Sequence, residues 1–341
     1  MTTEEIKLRQ LTGQHLIAPT NPMTVLRDLC GLQAQFLANA LHALRIRSGD
    51  IPEEETDSLI KSWTIRGTIH VFAPEDLPLF LHRDRTHFLR PCDTLEADEH
   101  ISKERKRFFA DLILDAVAKG VDTRDGLKAI CVDNGMADEE ALSIFDPWGG
   151  TIRVLCEAGL LCHQVREKKA YRLCPPFTPM DKEDARLEMA RRYFTHYGPA
   201  TVKDAAYFFA TTQTEVKGWL AKLPVTSTVC DGRTYYYIDN GAISPATLPE
   251  CIFLAGFDPL MLGYQKTESL YLPPEHLRGI FNLAGIVMPG ILLRGRVVGK
   301  WKRKDAKLSV TLFEPVCAKD KKRIERSGQA LWPELKTIEY T

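Results

Sequence analysis

Apolar positions along the first third of the chain recur at helical spacing and then change period. Residues 4–16 can form a helix, and Pro22 stands at the start of a second that carries Val25, Leu26, Leu29 and Leu32 three and four residues apart. A third helix is expected to end over residues 59–63. From 64 to 72 the period shortens to two: Ile65, Gly67, Ile69 and Val71 alternate with Arg66, Thr68 and His70, which predicts a strand with one polar face. Short helices followed by a strand or hairpin are the parts of a winged helix.

The same order returns twice. Residues 103–118 predict an amphipathic helix, Thr123 an N-cap for a short helix through Cys131, and 150–158 a helix stopped near Gly159. A hairpin follows over 160–165 and 170–173, and Pro175, Pro176 and Pro179 mark a linker. Next come helices over 185–196, after Thr201 and over 214–220, then strands near 225–229 and 235–238 joined through Asp231-Gly232, residues that tolerate positive φ. The repeat is one of element order, not of a fixed period. Beyond Pro249 the pattern turns to strands over 251–256, 290–293, 296–301 and 308–313, with helices over 274–281 and 319–331. The expected fold class is α+β, with three tandem winged-helix units over 1–78, 79–178 and 179–248 and a β-rich C-terminal module over 249–341.

At 341 residues and 44% hydrophobic content, the chain can bury a sizeable core and suits two or three domains. Lys plus Arg and Asp plus Glu both number 45, so only local clustering can speak for a nucleic-acid partner. Nine scattered cysteines, never spaced C-x-x-C, fit reduced thiols better than disulfides or a zinc site. No apolar run approaches the roughly 20 residues of a membrane span, and Met1-Thr2-Thr3-Glu4-Glu5 is no signal peptide. A cytoplasmic protein without membrane partner or metal is expected. Dinucleotide-binding, P-loop, zinc-protease and esterase motifs are all missing, so no cofactor is expected either.

The candidate chemistry lies in Leu32-Gln33-Ala34-Gln35-Phe36, placed by the pattern at the end of an apolar helical segment. Each glutamine offers an acceptor carbonyl and two N–H donors without charge, which suits holding a water or a base edge. The alternative is that Gln33 and Gln35 cap the helix or satisfy buried backbone groups. A second cluster runs from Arg294 to Lys307, where Arg294, Arg296, Lys300, Lys302, Arg303, Lys304 and Lys307 face a single Asp305 in sequence. Such a hairpin would bind phosphates; the alternative is an edge strand protected by its charges. The run Lys103-Glu104-Arg105-Lys106-Arg107 mixes signs and reads as an exposed helix face.

Over nearly its whole length the chain resembles the AlkZ-like winged-helix DNA glycosylases, bacterial tandem winged-helix proteins that include interstrand-crosslink glycosylases. Gln33 and Gln35 match the family's Gln-apolar-Gln signature, and Arg66-Gly67-Thr68-Ile69-His70 resembles its Arg-Gly-Thr-x-His segment. The segments 257–263 and 289–301 are similar to their family counterparts. The resemblance implies a monofunctional DNA glycosylase that hydrolyses the N-glycosidic bond of N7-alkylated, cationic or bulky purines, with activity that can extend to unhooking interstrand crosslinks. It implies Gln33 and Gln35 as the catalytic pair. Arg66, Thr68 and His70 would line the cleft, with His70 either contacting phosphate or supporting the glutamines, and the hairpin cations would hold the duplex. An amide carbonyl orients water but is a weaker catalyst than a carboxylate base, so a leaving group already carrying positive charge is required. The partner is then double-stranded DNA containing alkylated bases, bound by a monomer. The alternative is a non-catalytic winged-helix DNA-binding protein or regulator, which would need a dimerisation element, and no heptad repeat is present. A protein-interaction module is a third reading, favoured only if the hairpin has no part in DNA affinity.

Overall fold

The computed structural model describes residues 1–64, 67–81, 95–241 and 247–341. It is a mixed α+β structure whose chain divides into two units, Pro52–Leu187 and the pair Met1–Ile51 with Glu188–Thr341.

In the unit Pro52–Leu187, the helix Glu53–Ser58 stops before a strand, Ile60–Trp63, which pairs antiparallel with Ile69–Phe72. Residues 60–63 are therefore strand and not the helix end the sequence suggests; Leu59 is the C-cap of the short helix before them. Within this unit Ile60–Trp63 lies between Ile69–Phe72 and Leu161–His163, with Tyr171–Leu173 beyond. Ile60, Lys61 and Ser62 are all buried, and a strand covered on both faces has no period-two signature to read. The helices Lys103–Ala118 and Arg124–Asp133 start where Ser102 and Thr123 accept backbone N–H groups. They pack with Asp138–Ile144 and Gly150–Glu157 around Phe109, Ile113, Leu127, Ile152, Leu155 and Tyr171. Asp138–Ile144, two turns with an acidic first turn, went unseen in the pattern because it is too short to show a period.

In the other unit, a capping box between Thr2 and Glu5 starts the helix Thr3–Gly13. The helices Val202–Phe209 and Gln213–Leu220 begin at Thr201 and Thr212, and the hairpin Thr226–Cys230 with Arg233–Tyr237 turns through Asp231 and Gly232 at φ 47° and 73°. A five-stranded sheet runs in the order Thr337–Tyr340, Lys307–Leu312, Arg296–Lys304, Gly290–Leu293 and Cys251–Phe253. Its first strand is parallel to Lys307–Leu312 and was not anticipated. The helix Ala318–Leu331 lays Ile324 onto Phe253, Leu308 and Val310.

One helix of this unit, Leu37–Ser48, escaped the pattern for a physical reason. Its buried face is Leu37, Ala40, Ala43, Leu44 and Arg47, so the last place on the apolar stripe is a cation. Arg47 is completely buried and pairs with an equally buried Asp258, with Nη2 to Oδ1 at 2.7 Å and Nη1 to Oδ2 at 3.1 Å. The guanidinium also donates to the carbonyls of Gln14 and Ala43, and the carboxylate accepts from the N–H groups of Ala255 and Leu260. Every charge is answered by several hydrogen bonds, the condition under which a buried pair is tolerated. Removing one partner strands the other in a dry interior. Arg47→Met is accordingly expected to lower the unfolding free energy by about 3–5 kcal/mol, read as a reduced urea midpoint; a midpoint equal to the parent's would show that the pair carries no weight.

Candidate functional site

The segment bearing the glutamines is made by the way the preceding helix ends. Asn21 caps Pro22–Asp28 through Thr24 N–H, and Pro22 presets the first turn. At the other end Cys30 N–H bonds Arg27 O at 3.2 Å and Gly31 N–H bonds Leu26 O at 2.7 Å, with both residues left-handed at φ 57° and 75°. This Schellman closure stops the helix and turns the chain out of it. Leu29 and Leu32 are thus beyond the helix, a correction to the helical reading, and Leu32–Gln33 is extended.

Extension changes what the Gln-Ala-Gln spacing means. Leu32 and Ala34 are buried, whereas Gln33 is half-buried and Gln35 exposed, an alternation that turns both amides out of the core. Among the described residues neither amide has a hydrogen-bond partner, and neither caps a helix. The chain then enters Leu37–Ser48 with Phe36 at the N-cap position. Phe36 is 47% exposed and stacks on Phe257, ring centroids 5.7 Å apart at 22°. Phe257 holds a left-handed φ of 56°, fixed by its N–H bond to Val287 O and by the buried Asp258 that follows. The aromatic pair was missed in the sequence, where Phe36 and Phe257 lie far apart and only the buried Arg47–Asp258 tie reveals their proximity.

The basic hairpin belongs to the same unit and is anchored on the same helix. Trp301 donates Nε1–H to Leu254 O and packs on His42 at 5.0 Å, while the His42 Nε2 lies 2.8 Å from Phe253 O. Burial holds the His42 pKa below its usual value, which favours the neutral ring beside the two cations of its own helix. The charge of the hairpin is smaller than its sequence suggests. Arg294 pairs with Asp320, Arg296 with Glu314, Arg303 with Glu334 and Lys307 with Glu339, so four carboxylates from outside the hairpin join Asp305. Lys300, Lys302 and Lys304 are left without an ion pair among the described residues, alternating along the strand with Trp301 and Arg303.

The Arg-Gly-Thr-Ile-His motif at 66–70 falls in the other unit. Arg66 falls outside the described residues, and Thr68 precedes the strand, which begins at Ile69. Thr68 is therefore not on the strand that carries His70; Thr64 N–H bonds Thr68 O and Gly67 N–H bonds Thr64 O. His70 is buried, with Nδ1 2.7 Å from Thr64 Oγ1 and 3.0 Å from Thr68 O.

Three comparisons bear on this geometry. The family profile described as DNA glycosylase AlkZ-like matches residues 26–332. The chain is 28% identical over 336 residues to the interstrand DNA cross-link repair glycosylase of Streptomyces sahachiroi, covering 89% of this chain and 88% of the relative. Its fold is similar to that of the solved Streptomyces sahachiroi DNA glycosylase AlkZ, with a TM-score of 0.77 at 23% identity, across 100% of this chain and 99% of that one.

Proposed function

This chain belongs to the AlkZ-like DNA glycosylase family, and we propose that it is a monofunctional glycosylase that excises N7-alkylated purines from double-stranded DNA, with Gln33 and Gln35 as the catalytic pair. The observation that carries this reading is the alternation that leaves two amides turned out of the core, unpartnered, beside the exposed ring of Phe36.

Hydrolysis needs a water directed at C1′ and tolerance of positive charge on the sugar as the bond to N9 breaks. The amide carbonyls of Gln33 and Gln35 can accept from that water and turn their dipoles toward the developing cation. Neither can take its proton as a carboxylate would, so the proton passes to solvent. An N7-alkylguanine is cationic before reaction and leaves as a neutral base when the C1′–N9 electron pair moves to the purine. A normal guanine would leave as an anion and is left alone. A crosslink joining two N7 atoms presents the same leaving group twice, which brings crosslinked DNA into the proposal, in keeping with the relative's name. Phe36, already stacked on Phe257, offers a flat surface to an extruded or distorted base. Arg66, Thr68 and His70 belong to the proposal as substrate contacts, with the buried His70 acting through Thr64 and Thr68. The same reading takes 1–78, 79–178 and 179–248 as winged helices before the module 249–341, a reading supported by the helix-then-hairpin order in 103–173 and 182–237.

Gln35→Ala, and less severely Gln33→Ala, should slow release of N7-methylguanine from a duplex by about 10²–10³-fold in single-turnover assays, the range for loss of a positioned polar group. Unfolding midpoints should stay unchanged, because neither amide holds the fold together. In the same assay Phe36→Ala should cost about 1–3 kcal/mol, or roughly 5- to 150-fold, if a base stacks there. A double glutamine variant as active as the parent would refute the catalytic assignment.

The ion pairs on the hairpin sharpen the expectation for DNA affinity. Converting Lys300, Lys302 and Lys304 together to Ser should weaken binding to every duplex alike and flatten the plot of log K against log salt by up to about 0.9 per lost phosphate contact. Converting Arg296 and Arg303, which are already paired, should change the slope less. An unchanged slope in the triple lysine variant would return the hairpin to a charged, self-protecting edge.

A further inference from the structure

Three helix ends meet at one point of the glutamine-bearing unit. Thr3–Gly13 ends near His15, Pro22–Asp28 at Asp28, and Lys182–His196 at His196. His15 Nε2 lies 2.9 Å from Asp28 Oδ2, His196 Nε2 lies 3.5 Å from Asp28 Oδ1, and one ligand atom from each residue falls within 4.8 Å of the other two. Each of the three side chains is only about one-seventh exposed, His15 at 15% and the other two at 14%.

Two features are poorly explained by an ordinary ion pair. The first is the tautomer of His196. Its Nδ1 is 3.3 Å from the carbonyl of Gly13, which can only accept, so Nδ1 carries the hydrogen and the neutral ring turns a bare Nε2 lone pair toward a carboxylate. Lone pair against carboxylate is repulsive unless a cation lies between them. An imidazolium would also resolve the clash, but all three side chains are largely buried and a second imidazole, that of His15, stands only 5.9 Å away, ring to ring. A histidine whose far nitrogen is anchored on a backbone carbonyl has the outer-shell arrangement common to metal ligands.

The second feature is the backbone of His15. The helix Thr3–Gly13 closes with His15 N–H on Thr12 O and Leu16 N–H on Leu11 O, a Schellman motif that places His15 at its left-handed position, φ 58°. Glycine is the residue of least cost there, and a β-carbon costs on the order of 1–2 kcal/mol. The approach of the third helix is equally demanding, since a β-carbon on Gly13 would stand 2.6 Å from His196 O. The fold thus accepts a strained histidine and a glycine-only contact to bring the two rings to one carboxylate.

We propose that His15, Asp28 and His196 form a binding site for a divalent transition-metal ion of the zinc type, held by two imidazoles and one carboxylate. Ligand atoms in a tetrahedron with bonds of about 2.0–2.1 Å stand about 3.3 Å apart, and each imidazole nitrogen lies near that distance from one oxygen of Asp28, His15 at 2.9 Å from Oδ2 and His196 at 3.5 Å from Oδ1. The half-exposed Arg27, with Nε 3.6 Å from Asp28 Oδ1, approaches the same carboxylate and would have to yield that oxygen or share it. The ion would pin the ends of three helices just ahead of the turn that presents Gln33 and Gln35. It would be a structural ion, and the site is independent of the glycosylase reading. No sequence motif announces it, because the ligands come from positions 15, 28 and 196.

The test is titration of chelator-stripped full-length protein with zinc chloride, followed by a competing chromophoric chelator and by thermal unfolding. One equivalent should bind and raise the midpoint. His196→Ala should weaken that binding at least about 100-fold. His15→Gly is the decisive variant, because it removes a ligand while relieving the backbone, so it should fold at least as stably as the metal-free parent and show no zinc-induced rise. No stoichiometric binding by the parent would overturn the site. Binding that persists equally in both variants would also overturn it, assigning the ion to the free thiols instead.

Discussion

The arrangement of the glutamine-bearing unit depends on the buried pair of Arg47 and Asp258. Arg47 sits at the far end of the helix that follows the glutamines, and Asp258 caps the short helix Pro259–Leu262. Joining them fixes Leu37–Ser48 against the 255–260 segment, and so sets Phe36 on Phe257 and His42 on Trp301. The glutamines, the aromatic surface and the root of the basic hairpin are therefore referred to one rigid helix. Replacing such a pair by apolar residues is often neutral for stability; what it supplies here is register between segments more than two hundred residues apart.

Much of the fold could be read from the chain because local physics and tertiary need agree. Thr123, Thr201 and the Asp231-Gly232 turn act through their own backbone neighbours, and they stand where their chemistry placed them. Reading failed where tertiary burial overrode period. Ile60–Trp63 lies in a sheet interior and shows no alternation, Leu37–Ser48 hides a cation on its apolar stripe, and the helix before Gln33 was extended through Leu29 and Leu32 because their spacing suits a helix that Cys30 and Gly31 in fact end. The Gln-apolar-Gln pattern itself was legible, but its meaning was not. On a helix the two side chains would diverge, whereas Gln33 ends a short extended segment and Gln35 stands in the bend that follows, both turned out of the core. Charge was misread for the same reason: seven cations are close in sequence, but the carboxylates that neutralise four of them come from Glu314, Asp320, Glu334 and Glu339.

The chemistry assigned to the pair has a consequence for selectivity. A site with an ionised base can force a reluctant leaving group, and so must discriminate at the level of binding. Two amides cannot, and discrimination is then built into the reaction, since only a base that has already gained positive charge departs at a useful rate. Under the proposed mechanism, weak catalysis protects intact DNA.

That claim is tested most directly by the pH dependence of single-turnover excision of N7-methylguanine at saturating protein, from about pH 5 to 9. Neutral amides do not titrate, so the account predicts a rate without the acidic limb of a catalytic carboxylate, whose midpoint enzymes tune up to about 6–7, inside this range. A rate that collapses as a single acid is protonated, and that is abolished by replacing one Asp or Glu while the double glutamine variant stays active, would contradict it.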